Sequence, residues 1–99
     1  MRTTRPPPGA TPMQLLCRND IDDFAQWKAT FDADREAQGA AGLSLLQLWR
    51  EDDNANRVWL LFEVNDRKAA QAFLDAPTAA LHAKRARVRD AEYHFLQTA

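Results

Sequence analysis

Cysteine is almost missing from this chain: Cys17 is the only one in 99 residues. No internal disulfide can form, and neither a disulfide scaffold nor a multi-cysteine zinc site is possible. Glycine is scarce, with three residues, and no glycine-rich phosphate loop is present. Positive charge is not in excess. Thirteen Lys and Arg stand against 14 Asp and Glu, for a net charge of −1, which argues against a dedicated nucleic-acid partner. No apolar stretch approaches the roughly 20 residues needed to span a bilayer. The two arginines near the start are followed by no apolar segment, so a secretory signal is not expected. These absences leave a cytoplasmic protein with no membrane or nucleic-acid partner as the expectation. The composition, 45% hydrophobic and 27% charged, is that of an ordinary globular domain. The length suits one domain with a modest core.

Met1–Pro12 holds four of the five prolines and no large apolar residue after Met1. Such a segment buries too little surface to offset its ordering entropy, so a disordered, dispensable tail is expected there. The folded domain is expected over 13–99. Its densest apolar run is Arg57–Val64 (Arg-Val-Trp-Leu-Leu-Phe-Glu-Val), rich in β-branched and aromatic residues and too short for a helix. It reads as a buried central strand. Val58, Leu60, Phe62 and Val64 share one face, and Trp59 and Leu61 occupy the other. Both faces are apolar, so both need cover.

Met13–Arg18 reads as a first strand, followed by a cluster of capping residues, Asn19 to Asp23. Asp23 and Gln26 have capping-box spacing. The helix they open carries an apolar stripe of Ile21, Phe24, Trp27 and Phe31, and runs to about Gln38 before Gly39 and Gly42. Leu43–Arg50 is a second strand, joined to the central one by a loop over Glu51–Asn56. Asp66 caps a second helix whose inner face is Ala69, Ala70, Phe73 and Leu74. Pro77 breaks it and starts a further helix to about Arg87. Ala91–Gln97 is the last strand.

The order β-α-β-β-α-β predicts an α+β, ferredoxin-like domain. Its four-stranded antiparallel sheet has order 4-1-3-2, with both helices on one face and the second helix broken near Pro77. The other face is expected to carry Met13, Leu15, Cys17, Leu43, Leu45, Trp49, Trp59, Leu61, Tyr93 and Phe95. That is more apolar surface than a monomer usually exposes, and a second copy packing sheet against sheet would bury it. A homodimer is therefore expected.

The pattern Asp23-Phe24-x-x-Trp27-Lys28-x-x-Phe31-Asp32 resembles the dimeric α/β-barrel superfamily, in particular its antibiotic-biosynthesis-monooxygenase-like domains. Asn56-Arg57-Val58, Glu63-Val64, Ala69-Ala70-x-x-Phe73-Leu74-x-x-Pro77 and Tyr93-His94-Phe95-Leu96 complete the resemblance, which spans 13–97. It implies two ferredoxin-like protomers packed sheet to sheet, each with a pocket between its sheet and helices. It also implies a small-molecule-binding protein. Such a protein is a cofactor-independent monooxygenase-like or cyclase-like enzyme acting on an aromatic or polyketide-type compound, or a non-catalytic ligand-binding or assembly homodimer. No cofactor is expected.

Candidate site residues follow from the residue types. His94 is placed as a general base, the usual role of a neutral imidazole near pH 7, and is expected to face the helices and pocket. Glu63 ends the central strand and is the second catalytic candidate. Asn19, Trp59, Trp27, Phe73 and His82 are the expected ligand-pocket residues, the tryptophans as stacking surfaces. Asn19 and His82 resemble the asparagine and axial histidine of haem-degrading relatives. An offset of one residue turns a helical side chain by about 100°. With Phe73 in place of the tryptophan, the His82 ring is expected to be rotated off the pocket and so off a haem iron, and no haem complex is expected. No His, Cys, Asp or Glu cluster has metal-ligand spacing, and the central strand lacks the glycine-aromatic signature of an RNA-recognition motif.

Overall fold

The computed structural model describes residues 12–99; apart from Pro12, the expected N-terminal tail lies outside them. The elements are β1 (Met13–Ile21), α1 (Phe24–Ala33), α2 (Arg35–Ala40), β2 (Leu43–Glu51), β3 (Asn54–Val64), α3 (Arg67–Asp75), α4 (Pro77–Arg85) and β4 (Val88–Gln97). The strands form one antiparallel sheet in the order β2-β3-β1-β4, which is the expected order read from the opposite edge. This is the ferredoxin-like arrangement, with each crossover split into two helices.

Local chemistry explains the helix boundaries. The Asp23 carboxylate accepts a hydrogen bond from the Gln26 backbone N–H at 2.8 Å and so caps α1. The capping box is not closed, because the Gln26 side chain donates instead to the Arg85 carbonyl at 3.2 Å and ties α1 to the end of α4. Asp66 caps α3 through the Ala69 N–H at 3.0 Å. Pro77 stands in the first turn of α4, where its missing N–H costs nothing. The single first helix expected to reach Gln38 is interrupted at Asp34, whose backbone leaves helical geometry (φ −96°, ψ 4°). The loop expected over Glu51–Asn56 is a tight turn at Asp52-Asp53, with Glu51 and Asn54 already paired.

The helices cover the sheet face that carries Leu15, Cys17, Leu43, Val58, Leu60 and Phe62, all buried. Trp27, Ala41, Ala70 and Ala86 close the core from above. This corrects the expected facing of three strands. Residues directly opposed on antiparallel strands share a face. Leu15 opposes Phe62 and Phe95, and Cys17 opposes Leu60 and Tyr93. Met13, Leu15, Cys17, Tyr93 and Phe95 therefore lie on the helix side, not with Trp59 and Leu61. On β2 a register shift between Leu45 and Gln47 lets Leu45 oppose Phe62 while Trp49 opposes Trp59. One bulge thus puts Leu43 and Leu45 inside and leaves Trp49 on the open face, where it was expected.

The open face is of two kinds. Leu16, Trp49, Trp59, Leu61 and Leu96 make an apolar area, with Trp49 and Leu96 each 44% exposed. Beside it lies an ionic network around Arg18. Its Nε donates to Glu92 at 2.6 Å and its Nη2 to Asp90 at 3.0 Å. Its Nη1 lies 2.7 Å from Asp20, as a charge contact rather than a directed hydrogen bond. Arg57 donates to the same Asp20 at 2.7 Å. The Trp59 indole N–H donates to Glu51 at 2.9 Å.

Candidate functional site

A cavity of about 120 Å³ lies between the helices and the inner sheet face. Its apolar wall comes from the sheet (Leu15, Leu43, Leu60, Phe62) and from the helices (Trp27, Phe31, Phe73, Leu74). Trp27 is 2% exposed and stacks on Phe31 with ring centres 5.0 Å apart and planes 12° from parallel. The stripe that buries α1 thus also presents flat aromatic surface to the cavity.

Few polar groups reach this space. On β1, Asn19 points inward. With its amide oriented by its neighbours, the oxygen accepts from the Trp27 indole N–H at 3.1 Å and the nitrogen donates to the Arg18 carbonyl at 3.0 Å. Asn19 therefore locks the Trp27 ring. Asp34, at the break between α1 and α2, places its carboxylate 3.0 Å from His82 Nδ1 on α4; the side chains are 15% and 34% exposed. Both residues line the cavity. A carboxylate on Nδ1 holds the proton there and leaves Nε2 as the basic atom of the neutral ring. Gln38, one turn after Asp34, is 6% exposed, and its Oε1 has no hydrogen-bond partner among the described residues. Cys17 also lines the cavity. Burial pushes its thiol up to about 12, so the thiolate is not available near neutral pH. Among the described residues no group of three or more His, Cys, Asp or Glu is placed to hold a metal.

Four of the expected pocket residues, Asn19, Trp27, Phe73 and His82, meet in this cavity. His82 is not turned off the pocket, as the one-residue offset suggested. The break at Asp34 and the restart at Pro77 set both helix phases independently, and the two residues meet. The other three expected residues lie elsewhere. Trp59 is on the open face, paired with Glu51. His94 opposes Leu16 and so lies on the open face too, 3.3 Å from Glu92 and half-exposed. Glu63, opposed to Gln14 and Ser44, is exposed at the strand end on that same side. The inward facing expected for His94 is thereby corrected. Asp34, Gln38 and Tyr93 line the cavity without having been anticipated there. For the first two the sequence held a usable sign: Trp27, Phe31, Asp34 and Gln38 follow one another at helical spacing, so the inner stripe of α1 continues into polar residues.

No protein-family model matches the sequence, and no curated protein does. Solved structures do match in fold. An antibiotic biosynthesis monooxygenase candidate from Bordetella bronchiseptica superposes with a TM-score of 0.73 at 14% identity, covering 91% of this chain and 99% of that one. A variant of SnoaB, a cofactor-independent oxygenase from Streptomyces nogalater, gives 0.67 at 22% identity, covering 91% and 94%. A dimeric ferredoxin-like protein from an uncultured marine organism gives 0.58 at 13% identity, covering 91% and 90%. The chain shares the ferredoxin-like fold of these structures. Among the described residues no helix is long and apolar enough to cross a membrane.

Proposed function

We propose that this protein is a homodimeric, small-molecule-binding member of the antibiotic-biosynthesis-monooxygenase-like proteins. We propose further that it oxygenates an aromatic or polyketide-type substrate without a cofactor. The observation that carries this reading is the Asp34–His82 pair on the wall of an aromatic cavity. Similarity in fold to the cofactor-independent oxygenase SnoaB supports it.

The chemistry needs little from the protein. An activated methylene between two aryl rings, conjugated through them with a carbonyl, is acidic enough for an imidazole to remove one proton. His82 Nε2 takes that proton while Asp34 stabilises the imidazolium through Nδ1–H. The resulting carbanion is electron-rich and reacts with dioxygen. Conversion of the methylene to a carbonyl consumes one dioxygen and releases one water, so the substrate supplies all four electrons. Trp27, fixed by Asn19, and Phe31, Phe62 and Phe73 orient the flat substrate and keep water out.

The dimer is proposed on the apolar half of the open face. Leu16, Trp49, Trp59, Leu61 and Leu96 need cover, and a like surface on a second copy supplies it.

The test uses an anthrone, a three-ring ketone with such a methylene. The purified protein, in chelator and without added flavin, is expected to speed dioxygen uptake above the buffer rate, with one dioxygen consumed per quinone formed. His82→Ala is expected to remove the acceleration. An anthrone that binds but is oxidised no faster than in buffer would overturn the enzymatic reading and leave a non-catalytic ligand-binding dimer.

A further inference from the structure

Of the residues that line the cavity, Tyr93 alone is exposed, at 47%. It stands on the inner face of β4, an edge strand, opposite the buried Cys17. Cys17 is roofed by helices and Tyr93 is not, so the cavity opens beside Tyr93. On the α4 side the lining is Ala79, Ala83 and Ala86, whose short side chains leave room next to the ring. Burial nonetheless pushes the Tyr93 phenol above its ordinary value. Its hydroxyl end is thus withdrawn from water although the residue as a whole is open, and the ring leans over the mouth rather than out into solvent. The cavity measures about 120 Å³, and an apolar cavity of about 150 Å³ takes up one benzene. There is room inside for a single ring. A fused aromatic ligand of two or three rings must leave its outer rings at the opening, where Tyr93 stands.

We infer that Tyr93 is a specificity-determining residue for fused-ring ligands: the first ring enters the cavity against Trp27 and Phe31, and the next lies at the mouth against the Tyr93 ring. This deepens the small-molecule reading above and rests on it. The placement suits the proposed chemistry. With one end ring of an anthrone inside, the middle ring and its methylene lie at the mouth, among the partly exposed lining residues. His82 is one of these, its side chain 34% exposed. The contact also gives the open tyrosine an occupant, since the ligand's outer ring covers what no helix covers. Aromatic rings that meet in offset or edge-to-face geometry gain more than the area they bury. A single-ring compound fits wholly inside, does not touch Tyr93, and forgoes that gain.

The probes are 2-naphthol and phenol, which share the hydroxyl and differ by one fused ring. Binding of 2-naphthol to the full chain is measured by fluorescence titration, and binding of phenol by its displacement of 2-naphthol. Tyr93→Ala is expected to weaken 2-naphthol on the order of tenfold, the size of one aromatic contact, and to leave phenol unchanged. Tyr93→Phe keeps the ring and is expected to match the wild type for both probes. Tyr93 is the only tyrosine in the chain, so its ring resonances serve as a reporter in the wild type. Nuclear Overhauser contacts between them and the protons of bound 2-naphthol are expected, and this measurement decides the matter even if Tyr93→Ala folds poorly. Undiminished 2-naphthol affinity in Tyr93→Ala, an equal loss for phenol, a Tyr93→Phe as weak as Tyr93→Ala, or a bound naphthol with no contact to the tyrosine ring overturns the role of Tyr93 and leaves the small-molecule reading standing. No binding of either probe to the wild type overturns both.

Discussion

His82 Nδ1 lies 3.0 Å from the Asp34 carboxylate, joining the end of α1 to the middle of α4 across the rim of the cavity. The two residues belong to different crossovers of the fold and meet only because both helices lie on the same sheet face. In the proposed reaction the pair orients His82 as the base.

Asp34→Asn keeps the shape of the pair and removes its charge. Turnover of the anthrone is expected to fall roughly hundredfold, the low end of what general-base catalysis supplies, with little change in KM. His82→Ala is expected to be at least as damaging, and the double variant no worse than His82→Ala, because the two act as one unit. Steady-state kinetics of the three variants check this. Additive losses would show that Asp34 and His82 work separately.

Trp59→Asp places a carboxylate in the apolar half of the open face, opposite Trp49. In the proposed dimer that charge is buried, and the Arg18 it faces on β1 is already engaged by Asp20, Asp90 and Glu92, so burying it is costly. Sedimentation equilibrium at micromolar concentration is expected to give twice the chain mass for the wild type and the chain mass for Trp59→Asp. Its far-UV spectrum should stay unchanged, because the interior face of the sheet is not touched. A wild type that sediments as a monomer would sink the dimer.

Gly42 has φ of +77°, and a Cβ built on it would come within 3.0 Å of the Asp66 backbone nitrogen and 3.1 Å of its Cβ. Asp66 is the residue that caps α3. Gly42→Ala combines a left-handed backbone costing about 1–2 kcal/mol for a side-chain-bearing residue with pressure on that cap. Its melting temperature is expected to fall by several degrees, more than for Gly39→Ala, where a Cβ meets nothing within 4 Å.

Acid should weaken the fold through the Arg18 network. The Arg57 guanidinium, followed by Arg18, holds the Asp20 carboxyl down to about 2. Arg18, helped by His94, holds Glu92 below its usual range. A carboxyl whose folded pKa is depressed stabilises the folded state above its unfolded value and loses that contribution as pH falls toward its folded value. The Asp20 contribution is therefore fully present above about pH 4 and disappears as pH approaches 2. Melting curves across that interval are expected to fall more steeply for the wild type than for Asp20→Asn. Parallel curves would remove Asp20 from the account.

The sequence by itself determined the four strands and their order, the capping by Asp23 and Asp66, and the restart at Pro77, since these rest on local chemistry, on a period read along the chain or on the rules of connection; it did not show the break at Asp34. It also put Asn19, Trp27 and Phe73 near one pocket, because all three stand on the inner stripes or strand end that line it; the orientation of His82 was decided by the packing of α4. Facing was decided only by the tertiary structure. A strand side chain reverses face with every residue, so a single register shift at Leu45 separates Leu45 from Trp49, and the pairing of Leu15 with Phe62 turns Tyr93 inward and His94 outward. The Asp34–His82 contact and the unpaired Gln38 oxygen were beyond the reach of local patterns for the same reason. Each depends on where a helix end comes to rest above the sheet, a position set by the packing of the whole core rather than by any neighbouring residue in the chain.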